Sequence, residues 1–449
     1  MAKTRTMYVC DNCGEESIAW QGRCPVCQEW NTFKEFKTEV RGSGGSGRSN
    51  TSGQALDLKP LNTQIETGIK SRIETRLPEF DRVLGGGIVP GSVVLLGGEP
   101  GIGKSTLLLQ VAQYVADSHT VIYFSGEESE SQVAGRAKRL GLNPTFLFAN
   151  ETRLGTIQQT LTQLKPTLVI IDSIQTLYDD AFPSTPGSLV QVRECSLRLQ
   201  EFAKANGISI ILVGHITKEG TVAGPKTLEH MVDVVLYLEG EPRSEMRILR
   251  SMKNRFGATY EVGLFELGEK GMSSIADPSS LFIEDHTGEV PGTALTAVLE
   301  GVRPILVEVQ ALVVPTAFGY PKRTSSGVDL QRLHILLAIL ESRTGASFSS
   351  ADVFLNVVGG YRISDRAADL AICMALLSAA SGVALPAKQV FYGEVGLTGE
   401  VRRVGQMERR VTEVTRLGYL ASPAFKSVRD IGNEFGVLKM RRRKANTDD

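Results

Sequence analysis

Short apolar runs punctuate the first part of the chain: Val-Val-Leu-Leu at 93–96, Val-Ile-Tyr-Phe at 121–124, Leu-Val-Ile-Ile at 168–171 and Ile-Ser-Ile-Ile-Leu-Val at 208–213. Each has the length of a strand. Near-unbroken apolarity means that both faces are covered, as in a mostly parallel sheet. After the first run, apolar positions recur at helical spacing in Leu107, Leu108, Val111, Ala112 and Val115. Strands alternating with helices predict an α/β domain with helices on the faces of its sheet. Val-Val-Leu-Tyr-Leu at 234–238 and Met-Arg-Ile-Leu at 246–249 extend that sheet.

Asp-Pro, Thr-Gly and Val-Pro-Gly turns between 277 and 293 end the alternation. Strands are expected around 294–315, at 353–358 and near 390–397, with helices near 329–342, at 366–380 and at 406–417, which is an α+β pattern. No internal repeat is evident. Residues 42–53 hold nine Gly or Ser in twelve positions, a composition that behaves as flexible coil. The expected order is a cysteine module at 1–36, a linker at 37–60, an α/β domain at 61–276 and an α+β domain at 277–449. A chain of 449 residues accommodates two or three such domains.

The formal net charge is −1, so the chain is no bulk polycation and any nucleic-acid contact must come from local patches. Lys-Met-Arg-Arg-Arg-Lys at 439–444 is one such patch, although a solvated charge cluster explains it equally well. No apolar run approaches the roughly 18 residues of a membrane span. The first residues contain no apolar signal core. A cytoplasmic location with no membrane partner is expected.

Four of the six cysteines fall within the first 27 residues, which does not suit a disulfide framework. Cys195 and Cys373 stand alone in helix-like stretches and read as core. Cys10, Cys13, Cys24 and Cys27 form two C-x2-C knuckles, and two knuckles complete a tetrahedral four-thiolate Zn²⁺ site. With no open position the site is structural, and metal binding supplies free energy that so small a core cannot. A redox pair needs only one knuckle. Trp20 and Trp30 offer surfaces for nucleic-acid stacking, but aromatics in so small a module are expected to serve as its core.

Gly98-Glu99-Pro100-Gly101-Ile102-Gly103-Lys104-Ser105-Thr106 follows the first apolar run and precedes the first helix, the context a phosphate-binding loop requires. Backbone N–H groups of this loop wrap ATP phosphates at a helix N-terminus. Lys104 is expected on the β- and γ-phosphates and the Ser105 hydroxyl on Mg²⁺, with the helix beginning at Thr106. Asp172 ends the run at 168–171, where a carboxylate holds Mg²⁺ directly or through water, and Ser173 is placed to assist. Glu127 follows the strand at 121–124 and is the preferred base for orienting the attacking water; Glu128 competes with it. His215 ends the strand at 208–213, where a polar side chain can sense the γ-phosphate. A locally satisfied histidine is the plainer reading.

Together with Ser-Gly-Glu-Glu-Ser at 125–129, Gly-His-Ile-Thr-Lys-Glu-Gly at 214–220 and Lys-Asn-Arg-Phe-Gly at 253–257, these motifs resemble the bacterial RadA (Sms) family over essentially the whole chain. The resemblance implies a RecA-like P-loop ATPase core with an N-terminal zinc ribbon and a C-terminal α+β domain like that of Lon proteases. It implies a DNA-dependent ATPase of recombinational repair that forms hexameric rings. Such rings bind single-stranded and branched DNA, and drive branch migration with RecA. By the same analogy, Lys253 and Arg255 act on the neighbouring subunit's nucleotide. Residues 178–190 and 218–229, with Lys218 and Lys226, become candidate DNA-facing loops. A nucleotide-dependent DNA-binding switch on RecA filaments remains the alternative.

A protease is the other alternative, because Ala-Leu-Leu-Ser-Ala at 375–379, Gly382 and Gly-Glu-Val-Gly-Leu-Thr-Gly at 393–399 resemble the Lon proteolytic domain. Counting from these segments puts Ala367 at the nucleophile position and Glu408 at the lysine position, and neither can do that chemistry. The domain is then expected to be proteolytically inactive. Arg402, Arg403, Arg409 and Arg410 suggest a DNA-binding surface on it.

Overall fold

The computed structural model describes residues 3–10, 16–26, 28–40, 72–182, 184–215, 228–240, 245–283, 290–316, 320–436 and 438. The Gly/Ser stretch at 42–53, Cys13, Cys27, Lys218, Lys226 and the basic run at 439–444 lie outside them. The chain divides into two compact units, Met1–Ser274 and Ile275–Asp449.

The cysteine module is a small antiparallel sheet. β1 (Lys3–Cys10) lies between β2 (Glu16–Ser17) and β3 (Phe33–Val40), with Cys10 directly opposite Phe33. Cys10, Cys24 and Phe33 are buried together, with Tyr8 against them. One cysteine from each knuckle therefore meets in the same interior, which fits a shared thiolate-bound metal. Trp20 and Trp30, expected as core, are instead 55% and 67% exposed. Among the described residues, Cys10, Cys24 and Phe33 with Tyr8 form this interior, and the indole of Trp30 lies against the Arg23 guanidinium, 5.6 Å away.

Among the described residues, the main sheet has nine strands in the order β12-β11-β10-β9-β4-β8-β7-β5-β6. They are β4 (Val93–Gly98), β5 (Val121–Ser125), β6 (Leu147–Ala149), β7 (Leu168–Asp172), β8 (Ser209–His215), β9 (Val234–Glu239), β10 (Met246–Asn254), β11 (Val262–Gly268) and β12 (Gly271–Ser274). β9, β4, β8, β7, β5 and β6 run parallel, and β10 to β12 continue the sheet antiparallel.

Successive side chains of β4 enter different cores. Val94 and Leu96 pack with Leu107, Leu108 and Val111 of α2 (Lys104–Ala116) and with Phe80 and Val83 of α1 (Pro78–Leu84). Val93 and Leu95 pack with Ile157 and Leu161 of α4 (Leu154–Leu164) and with Val192 and Leu199 of α5 (Leu189–Asn206). Both faces are dry, so the strands read as continuous apolar runs. α3 (Glu130–Arg139) follows β5 and opens with a reciprocal capping box between Ser129 and Gln132. The parallel strands deliver their carboxyl ends to one edge of the sheet, where open α/β sheets bind ligands.

In the second unit, β13 (Thr293–Glu300) and β14 (Arg303–Pro315) form a hairpin within a six-stranded mixed sheet. α6 (Leu330–Thr344) and α7 (Asp369–Ser381) follow in sequence, and residues 369–378 of α7 are all buried. The segment expected as a strand near 390–397 is two short pieces, Gln389–Val390 and Glu394–Val395, in different sheets. α8 (Met407–Arg416) matches the expected last helix.

Candidate active site

The P-loop joins the end of β4 to α2. Gly98 has φ +152, and a Cβ there would lie 2.5 Å from the Leu238 carbonyl oxygen. Gly103 has φ +113, and its Cβ would lie 2.3 Å from the Met272 methyl. A side chain at either position would push the loop off its neighbours. The helix starts at Lys104, two residues before the expected Thr106, because Gly103 itself is the N-cap. Ser105 and Thr106 lie half-buried in its first turn, while Pro100 and Gly101 are exposed.

Lys104 Nζ donates to the carbonyl oxygens of Gly98 and Glu99, at 2.9 Å each. Burial lowers its proton affinity, and Asp172 and Glu127 oppose that shift. The ammonium thus sits across the loop, within the field of both carboxylates.

Those carboxylates come from adjacent strands. Asp172 is the last residue of β7 and lies opposite Ser125 of β5, while Tyr123 lies opposite Ile170. Tyr123 and Asp172 are therefore diagonal neighbours on one face, a separation that an aromatic side chain spans. The Tyr123 hydroxyl donates to Asp172 Oδ2 at 2.7 Å. Burial, with Asp172 beside it, holds that hydroxyl protonated far above the usual tyrosine range. The buried Ser173 hydroxyl donates to Glu127 Oε1 rather than toward Mg²⁺ as expected. Glu128 differs in setting: its carboxylate is ion-paired with Arg136 of α3 and its N–H donates to Ser125 Oγ. The backbone of His215 ends β8 directly opposite Gly98, and its side chain lies outside the described part of the structure.

The pentapeptide at 253–257 leaves β10 after a register shift between Ser251 and Lys253. Such a bulge re-aims the side chains that follow it. Lys253 Nζ donates to the carbonyls of Glu229 (2.6 Å) and Val232 (2.8 Å), and desolvation followed by the repulsion of Arg255 lowers its proton affinity. Arg255 pairs with Asp233 at 3.3 Å. Asn254 Nδ2 approaches the carbonyls ending α1, and Arg72 Nη2 donates to the Phe256 carbonyl at 2.6 Å.

The register places this segment away from its own P-loop. Asn254 is opposite Val234, which is opposite Val94, whereas the P-loop begins at Gly98 opposite Leu238. Four residues of strand separate the two levels, about 13 Å. Lys253 and Arg255 thus stand at the edge of the sheet opposite to Lys104, Glu127 and Asp172.

Sequence reasoning missed Tyr123, Arg72 and Arg247. Arg247, buried on β10, donates from Nε to the P-loop carbonyl of Ile102 at 3.1 Å. For Tyr123 the available signal was one hydroxyl within an apolar strand, four residues before Glu127. Residues 178–190, a candidate DNA-facing loop, contain no Lys or Arg. Asp179 pairs with Arg198, and Gln191 Nε2 holds the carbonyls of Phe182 and Ser184 at 2.8 and 3.0 Å, so this loop is folded onto α5.

One reading of the second unit changes. Arg410 does not join Arg402, Arg403 and Arg409 on the surface: it is 1% exposed and donates to the carbonyls of Ala297 and Gly405 and to Asp365 Oδ2. Asp365 also accepts from the backbone N–H of Ala367. A buried cation, Arg410, therefore lies beside the Ala367 turn, and Glu408 is exposed on the first turn of α8. Ala367 itself is fully buried and offers no nucleophile. Cys195 and Cys373 are buried as expected, and burial pushes the Cys195 thiol up to about 12.

An AAA domain family matches residues 63–221, and a rubredoxin metal binding domain family matches residues 8–35. Proteins named DNA repair protein RadA match nearly end to end. The one from Halalkalibacterium halodurans is 49% identical over 93% of this chain and 92% of its own. Those from Bacillus subtilis and Brucella abortus are 47% and 46% identical, over 93% of this chain and 92% and 91% of theirs. The P-loop core is that of an ATPase, and the cysteine module is a zinc-binding ribbon. No described helix is long and apolar enough to cross a membrane. The chain belongs to the RadA family of DNA repair proteins.

Proposed function

We propose that this ATPase processes recombination intermediates, using hydrolysis to drive branch migration on single-stranded and branched DNA together with a RecA recombinase. In this reading six copies form a ring. The observation that supports it most is the position of Lys253 and Arg255 at the end of β10, where the intervening Asn254 lies about 13 Å of strand away from the level of the subunit's own P-loop, with both cations held by local contacts. Cations so placed are of no use to the nucleotide of the same subunit, and they suit the nucleotide of a neighbour in a head-to-tail assembly.

Within one subunit the roles divide as follows. P-loop N–H groups and Lys104 bind the phosphates of ATP. Ser105 and Asp172 would hold Mg²⁺, which would supply positive charge to the phosphates. Glu127 orients the attacking water; Glu128, already paired with Arg136, is the weaker base. His215, opposite Gly98, reports the state of the γ-phosphate to residues 218–229, where Lys218 and Lys226 contact DNA phosphates. Phosphate contact falls to that loop because residues 178–190 contain no cation.

Strand displacement on a forked DNA tests this reading. Wild-type protein is expected to separate the strands with ATP, and Lys104→Ala to bind DNA without separating them. Nucleotide-dependent DNA binding without displacement by wild type would overturn the motor and leave a switch on RecA filaments.

A further inference from the structure

We infer that Tyr123 and Ser173 are positioning residues that set the two carboxylates of the ATP site by exchanging hydroxyl donors between adjacent strands. The inference rests on the proposed roles of Asp172 at Mg²⁺ and Glu127 at water. Tyr123 of β5 donates to Asp172 of β7, and Ser173, immediately after β7, donates to Glu127, just beyond β5. Each strand thus supplies one carboxylate and the hydroxyl that orients the other strand's carboxylate.

The chemistry of the donor matters. A hydroxyl occupies one oxygen of a carboxylate and fixes its rotation while leaving the charge in place. Oδ2 of Asp172 and Oε1 of Glu127 are engaged this way. The neighbouring Glu128 carboxylate is held by an ion pair with Arg136 of α3.

Among the described residues, each hydroxyl is directed at one of these carboxylates. Tyr123 is 2% exposed and Ser173 is fully buried, so neither meets DNA or a partner. The Tyr123 ring is flanked by those of Phe146 and Phe148, with centroids 6.0 and 6.2 Å away. The phenol is held by packing before any ligand binds, and Asp172 inherits that rigidity. Preorganisation of this kind lets the site act without reorganising at the moment of reaction.

The test is steady-state ATP hydrolysis by the full chain, titrated with MgCl₂ at fixed ATP, with Asp172→Asn and Glu127→Gln as references. Tyr123→Phe removes one oxygen from a packed ring and is expected to raise the half-saturating Mg²⁺ concentration on the order of tenfold, the scale of one hydrogen bond to a charged group. Turnover at saturating Mg²⁺ should return toward wild type, and nucleotide binding in EDTA should not change. Ser173→Ala is expected to lower kcat on the order of tenfold at unchanged Mg²⁺ half-saturation, with Ser173→Thr restoring part of it. Thermal melts of every variant accompany the kinetics. Tyr123→Phe with an unshifted Mg²⁺ titration, or Ser173→Ala with wild-type kcat, would overturn the corresponding half of the inference. Wild-type turnover by Glu127→Gln would instead remove the assignment of the base. A Mg²⁺ titration of Asp172→Asn indistinguishable from wild type would remove the metal role of Asp172.

Discussion

Arg410 occupies the interior of the second unit, where two backbone carbonyls and the Asp365 carboxylate receive its guanidinium. Removing the cation leaves Asp365 and the Ala297 carbonyl without a donor they now have. Breaking such a pair costs about 3–5 kcal/mol. Arg410→Ala should therefore lower the urea midpoint of unfolding of this unit sharply. Arg402→Ala, Arg403→Ala and Arg409→Ala, at exposed positions, should leave that midpoint unchanged. Only this exposed triple can report on DNA, through a shallower dependence of affinity on salt. Four arginines close in sequence look alike because composition does not reveal which side of a helix turns inward. The same blindness applied to Trp20 and Trp30, whose exposure depends on how little interior a four-cysteine ribbon has. Tyr123 was hidden for the opposite reason: amid Val121, Ile122 and Phe124 its hydroxyl looks incidental. Lys104, Ser105 and Asp172 were legible because a P-loop and a strand-ending carboxylate combine unusual residues with a specific local context.

At the scale of elements, β10 runs from a contact with the P-loop to the turn that bears Lys253 and Arg255. Arg247 near its start holds the Ile102 carbonyl of the P-loop, and the bulge near its end turns Lys253 toward Glu229 and Val232. An arginine on a peptide carbonyl fixes how the adjoining N–H groups face the phosphates. Arg247→Met keeps the apolar stem and removes the donor. It is expected to weaken ATP binding by about tenfold, one hydrogen bond's worth, in an equilibrium titration with a fluorescent nucleotide. Unchanged affinity would show that the loop holds its own shape. The central strands β4, β5, β7 and β8 were readable because burial on both faces forces apolar runs. Only the start of β10 was readable, since Arg250, Lys253 and Asn254 dilute the run and the bulge breaks its period. The pieces at Gln389–Val390 and Glu394–Val395 were read as one strand because two-residue strands have no periodicity to detect.

For the whole molecule, the main sheet carries Lys104, Glu127 and Asp172 at one edge and Lys253 and Arg255 at the other. In the proposed ring a single subunit holds half of two different sites, which makes that ring testable without imaging it. Lys104→Ala destroys the phosphate side of a site and keeps the cation side; Arg255→Ala does the reverse. Arg255 pairs with Asp233, whose Oδ2 accepts from the N–H of Val93, so its replacement also needs a check of folding by thermal melt. Each variant alone should hydrolyse ATP poorly. Mixed in equal amounts and allowed to exchange, they form interfaces at random. About one interface in four then joins an intact P-loop to an intact Arg255, as head-to-tail geometry requires. DNA-stimulated hydrolysis in the mixture should rise to about a quarter of the wild-type rate, above the sum of the two variants. A mixture no more active than that sum, from subunits shown to exchange, would mean that Arg255 serves its own subunit or none. The pentapeptide would then be a structural turn locked by Arg72 and Asn254, and the ring would need another account.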